Sequence, residues 1–289
     1  MSLGVRFAQW PRPIAWRLLP ALRYLNLMRA LEWRMLAPWI QDVAKWRVLD
    51  VGCGHGGIYS LSLAQQGATL LGCDLQHSVM ADVQTTAQGL GLGSEAFFLV
   101  ADGAALPLPV GSFDLVICNC VLEHIVDDMA AMRAMARVLR PGGLLYLTVD
   151  NADHGLALGV LERLPAGLKT RFLQPKISAA SSVVVGLDEH LDEIYSVCRR
   201  YHHAELEAVV SDLGLAVLNS RPYLFGLGAA HYELFHALRR PDSASGFGRM
   251  LFMATSLFLY PLAVWSEKRA RTGGHGLAIV ARKEICTDE

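Results

Sequence analysis

The sequence predicts an α/β fold in which helices cover both faces of a mostly parallel β-sheet. Short β-rich runs alternate with helical stretches between residues 46 and 151, a pattern typical of β-α-β units with buried parallel strands. The sequence VLDVGCGHGG, residues 48–57, places a glycine-rich turn directly between a strand and a helix. Hydrophobic residues make up 53% of the 289 positions and charged residues only 18%, so the chain can fill a large core.

The first 46 residues contain five of the six tryptophans and an excess of arginine. Apolar residues recur there at three- and four-residue spacing, which predicts an amphipathic helix over residues 21–36. Tryptophan and arginine on such a helix also suit a membrane interface. Arg23 and Arg34 fall on one side of this helix, whereas Arg29 points elsewhere. Because the arginines do not share one face, we favour a helix that packs on the rest of the chain.

The central zone contains the predicted parallel sheet. Its strands are predicted at residues 47–51, 68–74, 96–102, 113–119 and 143–150. The clearest helix is predicted at 127–139, with aspartates at its start and arginines at its end, as the helix dipole favours. We expect Pro141, Gly142 and Gly143 to end that helix.

The last zone is less regular. A helix is predicted at 203–212 and strands at 215–220 and 276–283. The apolar run 250–266 is shorter than the ~20 residues that span a bilayer, so we expect a buried or interfacial helix. The predicted organisation is a helical cap over 1–45 and one domain over 46–289, with insertions at about 152–202 and 226–274.

Charge and cysteine content exclude some classes of protein. The net charge is −1 and basic residues form no stripe with aromatic ones, so we expect no nucleic-acid partner. The six cysteines form no CxxC pair, which indicates reduced thiols and excludes a zinc ribbon. The N-terminus has no apolar run typical of a secretory signal, so we predict a cytoplasmic protein.

The glycine-rich turn alone leaves two kinds of cofactor open. Gly52, Gly54 and Gly57 satisfy the GxGxxG pattern of dinucleotide-binding proteins. Asp74 ends the next predicted strand, where an acid chelates the ribose hydroxyls of NAD or of any other adenosine ligand. An NAD-dependent oxidoreductase is therefore one alternative at this point.

Three further motifs follow in order along the chain. They are Asp102-Gly103 after the third strand, VLEH at 121–124 after the fourth, and LRPGGLLYLTV at 139–149. With the glycine-rich turn they resemble the class I S-adenosylmethionine-dependent methyltransferases, especially the small-molecule enzymes that include those of quinone biosynthesis. The resemblance covers residues 46–151 and extends weakly to 201–215. It implies a Rossmann-like, doubly wound sheet of seven strands.

The resemblance also implies a cofactor, S-adenosylmethionine, which becomes S-adenosylhomocysteine, and a set of residues that bind it. The residues implied for its methionine part are Asp50, Gly52, Cys53, Gly54 and Gly56. Those implied for the ribose and adenine are Asp74, Leu75, Ala101, Asp102 and Gly103, and Asn119 is implied beside the sulfonium. The chain has no Lys or Arg between Arg47 and Arg133, whereas an NADP enzyme needs an arginine near Asp74.

Two neighbouring residues are candidates for proton removal from the acceptor. His124 and Glu123 follow the fourth strand, at the edge where α/β proteins bind ligands. The alternative is that His124 packs against the following helix. Asp150-Asn151 resembles the magnesium-binding pair of the catechol methyltransferases, but Asn119 stands where that family has Asp, so we expect no metal.

The predicted acceptor is a small lipophilic molecule that is methylated on oxygen or carbon. The chain lacks the (Asn/Asp)-Pro-Pro-(Tyr/Phe) motif of amino-group methylation. The tryptophan- and arginine-rich N-terminal segment and the apolar insertion 226–274 suit such an acceptor, either as a lid or as a peripheral membrane contact. The alternative is a protein that binds S-adenosylmethionine as a regulatory partner without turnover. The oligomeric state is not predicted.

Overall fold

The computed structural model describes residues 27–40, 42–54, 60–153, 199–238, 246–268 and 273–285. The helices of these residues are α1 (Leu27–Leu36), α2 (Ser60–Ala64), α3 (His77–Gly89), α4 (Asp128–Val138), α5 (His203–Asp212), α6 (Gly226–Leu238) and α7 (Gly246–Glu267). The strands are β1 (Arg47–Val51), β2 (Thr69–Asp74), β3 (Ala96–Val100), β4 (Phe113–Asn119), β5 (Leu139–Asp150), β6 (Leu215–Tyr223) and β7 (Gly276–Lys283).

The strands form one seven-stranded sheet in the order β3-β2-β1-β4-β5-β7-β6. The first five strands in this order are parallel to one another, and β7 runs antiparallel to both β5 and β6. This arrangement confirms the predicted α/β class with a mostly parallel, seven-stranded sheet. The reversal of β7 brings its first residues to the same sheet edge at which β1, β2, β4 and β5 end.

Alternate residues of the strands face two separate apolar layers. Leu115 and Ile117 of β4 pack in the layer that contains α1, α3, α6 and α7. Val116 and Cys118 pack in the layer that contains α4 and α5. Both faces of the central strands are therefore buried, which explains why these strands are continuous hydrophobic runs in the sequence.

Four strand ends differ from the prediction. β2 begins one residue later and β3 ends two residues earlier than predicted, and the differences in β5 and β6 are larger. β5 begins at Leu139 and not at residue 143, because Leu139 already pairs with Phe113 and the ladder shifts register before it continues. The proline and glycines thus form an irregularity within β5, and the preceding helix ends earlier, at Val138. β6 continues to Tyr223 past Pro222, because β6 is an edge strand and needs no donor on its outer side.

The cap helix is confirmed as a packed helix over its described part. α1 contacts β6, β7, α6 and α7. Its side chains Leu27, Leu31, Met35 and Leu36 are buried. Residues 21–26 of the predicted helix lie outside the described residues, as does all of the chain before them.

The apolar run 250–266 lies within α7, a helix of 22 residues that contains Pro261. Tyr260 and Ala263 are buried against the rest of the protein, whereas Phe258 and Trp265 are exposed. The helix thus has one packed and one open side, in keeping with the predicted buried or interfacial helix. Within the parts of the chain that the structure describes, no helix is both long enough and apolar enough to cross a membrane.

Candidate active site

The glycine-rich turn follows β1 at the carboxyl edge of the sheet. Gly52 has φ of +70° and donates its N–H to the Cys73 carbonyl over 2.8 Å. A Cβ on Gly52 would lie 2.4 Å from a methyl carbon of Val121, so any side chain is excluded there. Among the described residues, nothing lies within 4 Å of a Cβ on Gly54, and this backbone therefore borders space that a ligand can approach. Gly56 lies outside the described residues.

The Asp74 carboxylate is held beside this turn at the end of β2. Its Oδ2 accepts the Gly54 N–H over 3.3 Å, and its Oδ1 accepts the Gln76 N–H over 3.1 Å. The next residue, Leu75, is 66% exposed. Asp74 and Gly54, which the sequence predicts for one cofactor site, are thus in direct contact.

Asp50 and Cys53 lie beneath the turn. The Asp50 carboxyl is buried and accepts a hydrogen bond from the Ser60 hydroxyl over 2.5 Å. Burial raises the pKa of Asp50 to about 7, although the Ser60 bond and the nearby Arg29 guanidinium act in the opposite direction. Burial also raises the pKa of the Cys53 thiol far above its usual value. This thiol is therefore protonated at neutral pH and acts as a small apolar group.

The segment after β3 reaches the same edge. The Ala101 N–H donates to the Asp74 carbonyl over 3.1 Å. Asp102 caps a short 3-10 turn, Gly103–Ala105, because its side chain accepts the Ala104 N–H over 2.8 Å. Gly103 is buried, and a Cβ there would lie 3.0 Å from side-chain atoms of Val51 and Ile125. The predicted adenine-side residues therefore adjoin β2 and the β1 turn.

Asn119 ends β4 and is bound on both sides of its amide. Its Oδ1 accepts hydrogen bonds from Arg29 Nη1 and Thr148 Oγ1, each over 2.6 Å. Its Nδ2 donates to the Glu32 carboxylate over 3.1 Å. Thr148 belongs to β5, and the other two partners belong to α1. The cap helix therefore supplies a guanidinium and a carboxylate to the carboxyl edge of the sheet.

Sequence reasoning missed Arg29 and Glu32. The helical spacing places Arg29 on a different side of the helix from the other two arginines of the predicted helix and gives it no role. In the structure this side chain reaches Asn119 at the carboxyl edge of the sheet. One signal was present in the sequence. Glu32 lies four residues after Met28 and four before Leu36, within the apolar stripe of the helix. A lone acid in such a stripe indicates a buried carboxylate with specific partners.

Glu123 and His124 lie in a 3-10 turn, Leu122–His124, just after β4. Glu123 is buried, and its Oε2 has no hydrogen-bond partner in the described parts of the chain. Burial, and next the nearby Asp150 carboxylate, raise the pKa of Glu123 well above its usual value. His124 is half-buried. Both effects favour the protonated, uncharged form of Glu123.

The end of β5 adds a carboxylate near a histidine. His275 Nε2 lies 4.0 Å from Asp150 Oδ1, and the ring of His275 is buried. The Asn151 side chain is bound to main-chain groups, donating to the Gly274 carbonyl over 2.7 Å and accepting the Asp153 N–H over 2.8 Å. The described residues contain no group of three or more His, Cys, Asp or Glu side chains arranged to hold a metal ion.

Comparisons with known proteins agree with this geometry. Residues 49–147 match the model of a methyltransferase domain family. A ubiquinone biosynthesis O-methyltransferase of Pseudomonas entomophila is 35% identical over 162 residues, which cover 52% of this chain and 69% of that protein. The Ralstonia nicotianae protein of the same name is 35% identical over 164 residues, covering 52% and 67%.

Solved structures share the fold at low sequence identity. A putative sarcosine dimethylglycine methyltransferase from Galdieria sulphuraria has a TM-score of 0.57 at 14% identity, with 89% of this chain and 86% of that chain covered. An S-adenosylmethionine-dependent methyltransferase from Methanosarcina mazei has a TM-score of 0.56 at 19% identity, with 87% and 97% covered. At these identities the likeness concerns the fold.

Proposed function

Because the chain belongs to the class I S-adenosylmethionine-dependent methyltransferases, we propose that it methylates an oxygen or carbon atom of a small lipophilic acceptor by in-line substitution. S-adenosylmethionine supplies an electrophilic methyl group on a positively charged sulfur. One structural observation carries the proposal: the Asp74 carboxylate is fixed by the Gly54 N–H beside the open backbone of the glycine turn. This arrangement suits a ligand with ribose hydroxyls and a cationic group, both of which carboxylates bind.

The described residues fit this cofactor in chemical type. We propose that Asp74, with Leu75 beside it, binds the ribose, and that Ala101, Asp102 and Gly103 border the adenine. A second set is proposed for the methionine part of the cofactor: Asp50, Gly52, Cys53, Gly54 and Gly56, with Asn119 beside the sulfonium. Arg29 is added as the partner of the cofactor carboxylate, because its guanidinium bonds to Asn119 and acts on Asp50.

The side chains after β4 are proposed to handle the acceptor proton. Glu123 is a buried acid whose Oε2 lacks a hydrogen-bond partner among the described residues, and this unsatisfied oxygen is the observation that favours a polar acceptor group beside it. His124 is one residue away and half-buried. We retain both as candidates for the group that removes the proton. Glu123 can do so only in its deprotonated form, which burial disfavours. No metal is required by this proposal.

The lipophilic nature of the acceptor is supported by two observations. The two relatives at 35% identity are named as ubiquinone biosynthesis O-methyltransferases, whose name refers to a lipophilic product. In addition, α7 leaves Phe258, Leu262 and Trp265 exposed at a spacing that puts them on one helix face. α7 ends beside the catalytic edge, because Glu267 accepts the N–H groups of the two residues that follow β6.

We propose that this face of α7 and the N-terminal tryptophan- and arginine-rich segment place a cytoplasmic protein against a membrane surface. The segment before residue 27 lies outside the described residues, and the described cysteines are free thiols. The protein should sediment with vesicles of anionic phospholipid, and exchange of Phe258 and Trp265 for serine should reduce the bound fraction several-fold. Recovery of the unmodified protein wholly in the supernatant would contradict the membrane contact.

The test of the proposed function is titration calorimetry of the purified protein with S-adenosylhomocysteine and, in parallel, with NAD. Binding of the first ligand alone is expected. Methyl transfer from labelled S-adenosylmethionine is then assayed with a prenylated catechol and with its water-soluble parent catechol. Transfer to the prenylated compound supports the proposal. Binding without turnover on any phenolic or enolic acceptor would instead favour the non-catalytic alternative, and binding of NAD alone would overturn the cofactor assignment.

A further inference from the structure

Glu32 brings a carboxylate from α1 into the apolar layer between this helix and the sheet. The side chain is fully buried, at 0% exposure. Its Oε2 accepts hydrogen bonds from Arg29 Nη1 over 2.9 Å and from Asn119 Nδ2 over 3.1 Å. Its Oε1 accepts the Tyr223 hydroxyl over 2.7 Å. A buried carboxylate is costly for the fold unless its oxygens are satisfied, and here both oxygens have strong donors.

These contacts close a ring of three side chains. Arg29 Nη1 donates both to Glu32 and to Asn119 Oδ1, while Asn119 Nδ2 donates back to Glu32. Thr148 fixes the same Asn119 oxygen from the neighbouring strand. Asn119 therefore cannot rotate its amide without losing donors or acceptors on both sides. The ring also selects one conformation for Arg29, whose free side chain would sample many rotamers.

The backbone turn after β4 also lies next to the Glu32 carboxylate. Cys120 has φ of +52°, in the left-handed region that side chains other than glycine rarely adopt. This turn brings Cys120 Sγ to 3.6 Å from Glu32 Oε1 and 3.5 Å from the Thr148 hydroxyl. Such a conformation persists only where the surroundings hold it. Here the Cys120 N–H donates to the Thr148 carbonyl over 3.0 Å, and the Sγ contact with Glu32 adds to this support.

We infer that Glu32 is a positioning residue for methyl transfer: it holds Arg29 and Asn119 in the arrangement that receives the cofactor. The inference rests on the proposed function, which assigns those two side chains to the methionine part. Glu32 itself is covered by its partners and acts through them. Because Tyr223 of β6 donates to the same carboxylate, correct docking of α1 and assembly of the cofactor site are a single event.

The test compares Glu32→Gln with the unmodified protein. Glutamine keeps the size of the side chain but removes the charge and replaces one acceptor oxygen with a donor. We expect the Kd for S-adenosylhomocysteine and the KM for S-adenosylmethionine to rise about tenfold, with a smaller effect on kcat, because pre-organisation of the binding groups is lost. An unchanged Kd would overturn the inference.

A matched control separates positioning from simple loss of stability. Tyr146 donates its hydroxyl to the Glu32 main-chain carbonyl over 2.8 Å, so it anchors the same helical turn through the main chain. Tyr146→Phe should lower the melting temperature and leave the Kd within about twofold of the unmodified protein. If Glu32→Gln and Tyr146→Phe weaken binding equally at equal loss of melting temperature, Glu32 is only structural.

A double-mutant cycle with Arg29→Met tests the path of the effect. If Glu32 acts through its partners, Glu32→Gln should raise the Kd less than about threefold in the Arg29→Met background. The same tenfold loss in both backgrounds would refute the inference. If Glu32→Gln does not fold, Tyr223→Phe is used instead, because it removes one donor from the intact carboxylate. The inference predicts a Kd raised about threefold, and an unchanged Kd would contradict it. Failure of the unmodified protein to bind S-adenosylhomocysteine would refute the proposed function instead.

Discussion

Replacement of Asp50 by asparagine should stabilise the ligand-free protein at pH 8. Burial raises the pKa of Asp50 from 3.8 to about 7, so the folded protein binds more protons than the unfolded chain between these values. Stability is therefore lost as the pH rises through this window, and the full cost above it is about 4 kcal/mol. Asparagine resembles the protonated acid in shape and still accepts the Ser60 hydrogen bond.

The assay is urea unfolding of both proteins at pH 5, 6, 7 and 8. The free energy of unfolding of Asp50→Asn minus that of the unmodified protein should rise by about 1.4 kcal/mol per pH unit up to pH 7 and then level off. The same comparison is then made in a Ser60→Ala background. Loss of the Ser60 hydrogen bond should raise the pKa of Asp50 further, so the difference in unfolding free energy should level off at a higher pH. A difference that is constant or falls with pH would refute this reasoning.

Four further substitutions test the site and its support. Gly52→Ala should abolish S-adenosylhomocysteine binding and lower the melting temperature, because its Cβ would lie 2.4 Å from Val121. Gly54→Ala has no such clash with the described residues, so it should lower the free energy of unfolding only by the ~1 kcal/mol that a left-handed backbone costs a residue with a side chain. Asp74→Ala should weaken S-adenosylhomocysteine binding by about 1.5 to 3 kcal/mol in calorimetry, and unchanged affinity would contradict its assignment. Glu267→Ala leaves two buried N–H groups without their acceptor, so urea unfolding should show a loss on the order of 2 kcal/mol.

Most of the sheet could be predicted because the central strands are buried on both faces. Such strands appear in the sequence as continuous hydrophobic runs bounded by glycine and aspartate, and the runs at 47–51, 113–119 and 276–283 have the ends that the structure shows. The end of β6 was missed because Pro222 normally stops a strand, and edge position is a property of the assembled sheet. The local sequence does not indicate which strand lies at the edge of the sheet.

The candidate site divides in the same way. Asp74 ends β2 and Gly54 follows β1, and these strands are parallel neighbours, so their contact is implied once the strands are assigned. The contact of Arg29 with Asn119 joins residues 90 positions apart and depends on how α1 docks, which the local pattern leaves open. Helical periodicity predicts the buried stripe of α1. It does not predict which polar side chain in that stripe forms hydrogen bonds, because the partners belong to strands that are distant in sequence.

The raised pKa of Asp50 and the position of Arg29 are connected. The pKa of Asp50 is raised by burial and lowered by Arg29, and the same guanidinium bonds to Glu32 and Asn119. A site whose charged groups were only carboxylates, such as Asp74 and deprotonated Asp50, would suit the cationic groups of the cofactor but would repel its carboxylate. Arg29 supplies the opposite charge from outside the β-α-β core, and Glu32 holds it in place. In the proposed site, the cap helix thereby matches an acidic sheet edge to a zwitterionic ligand.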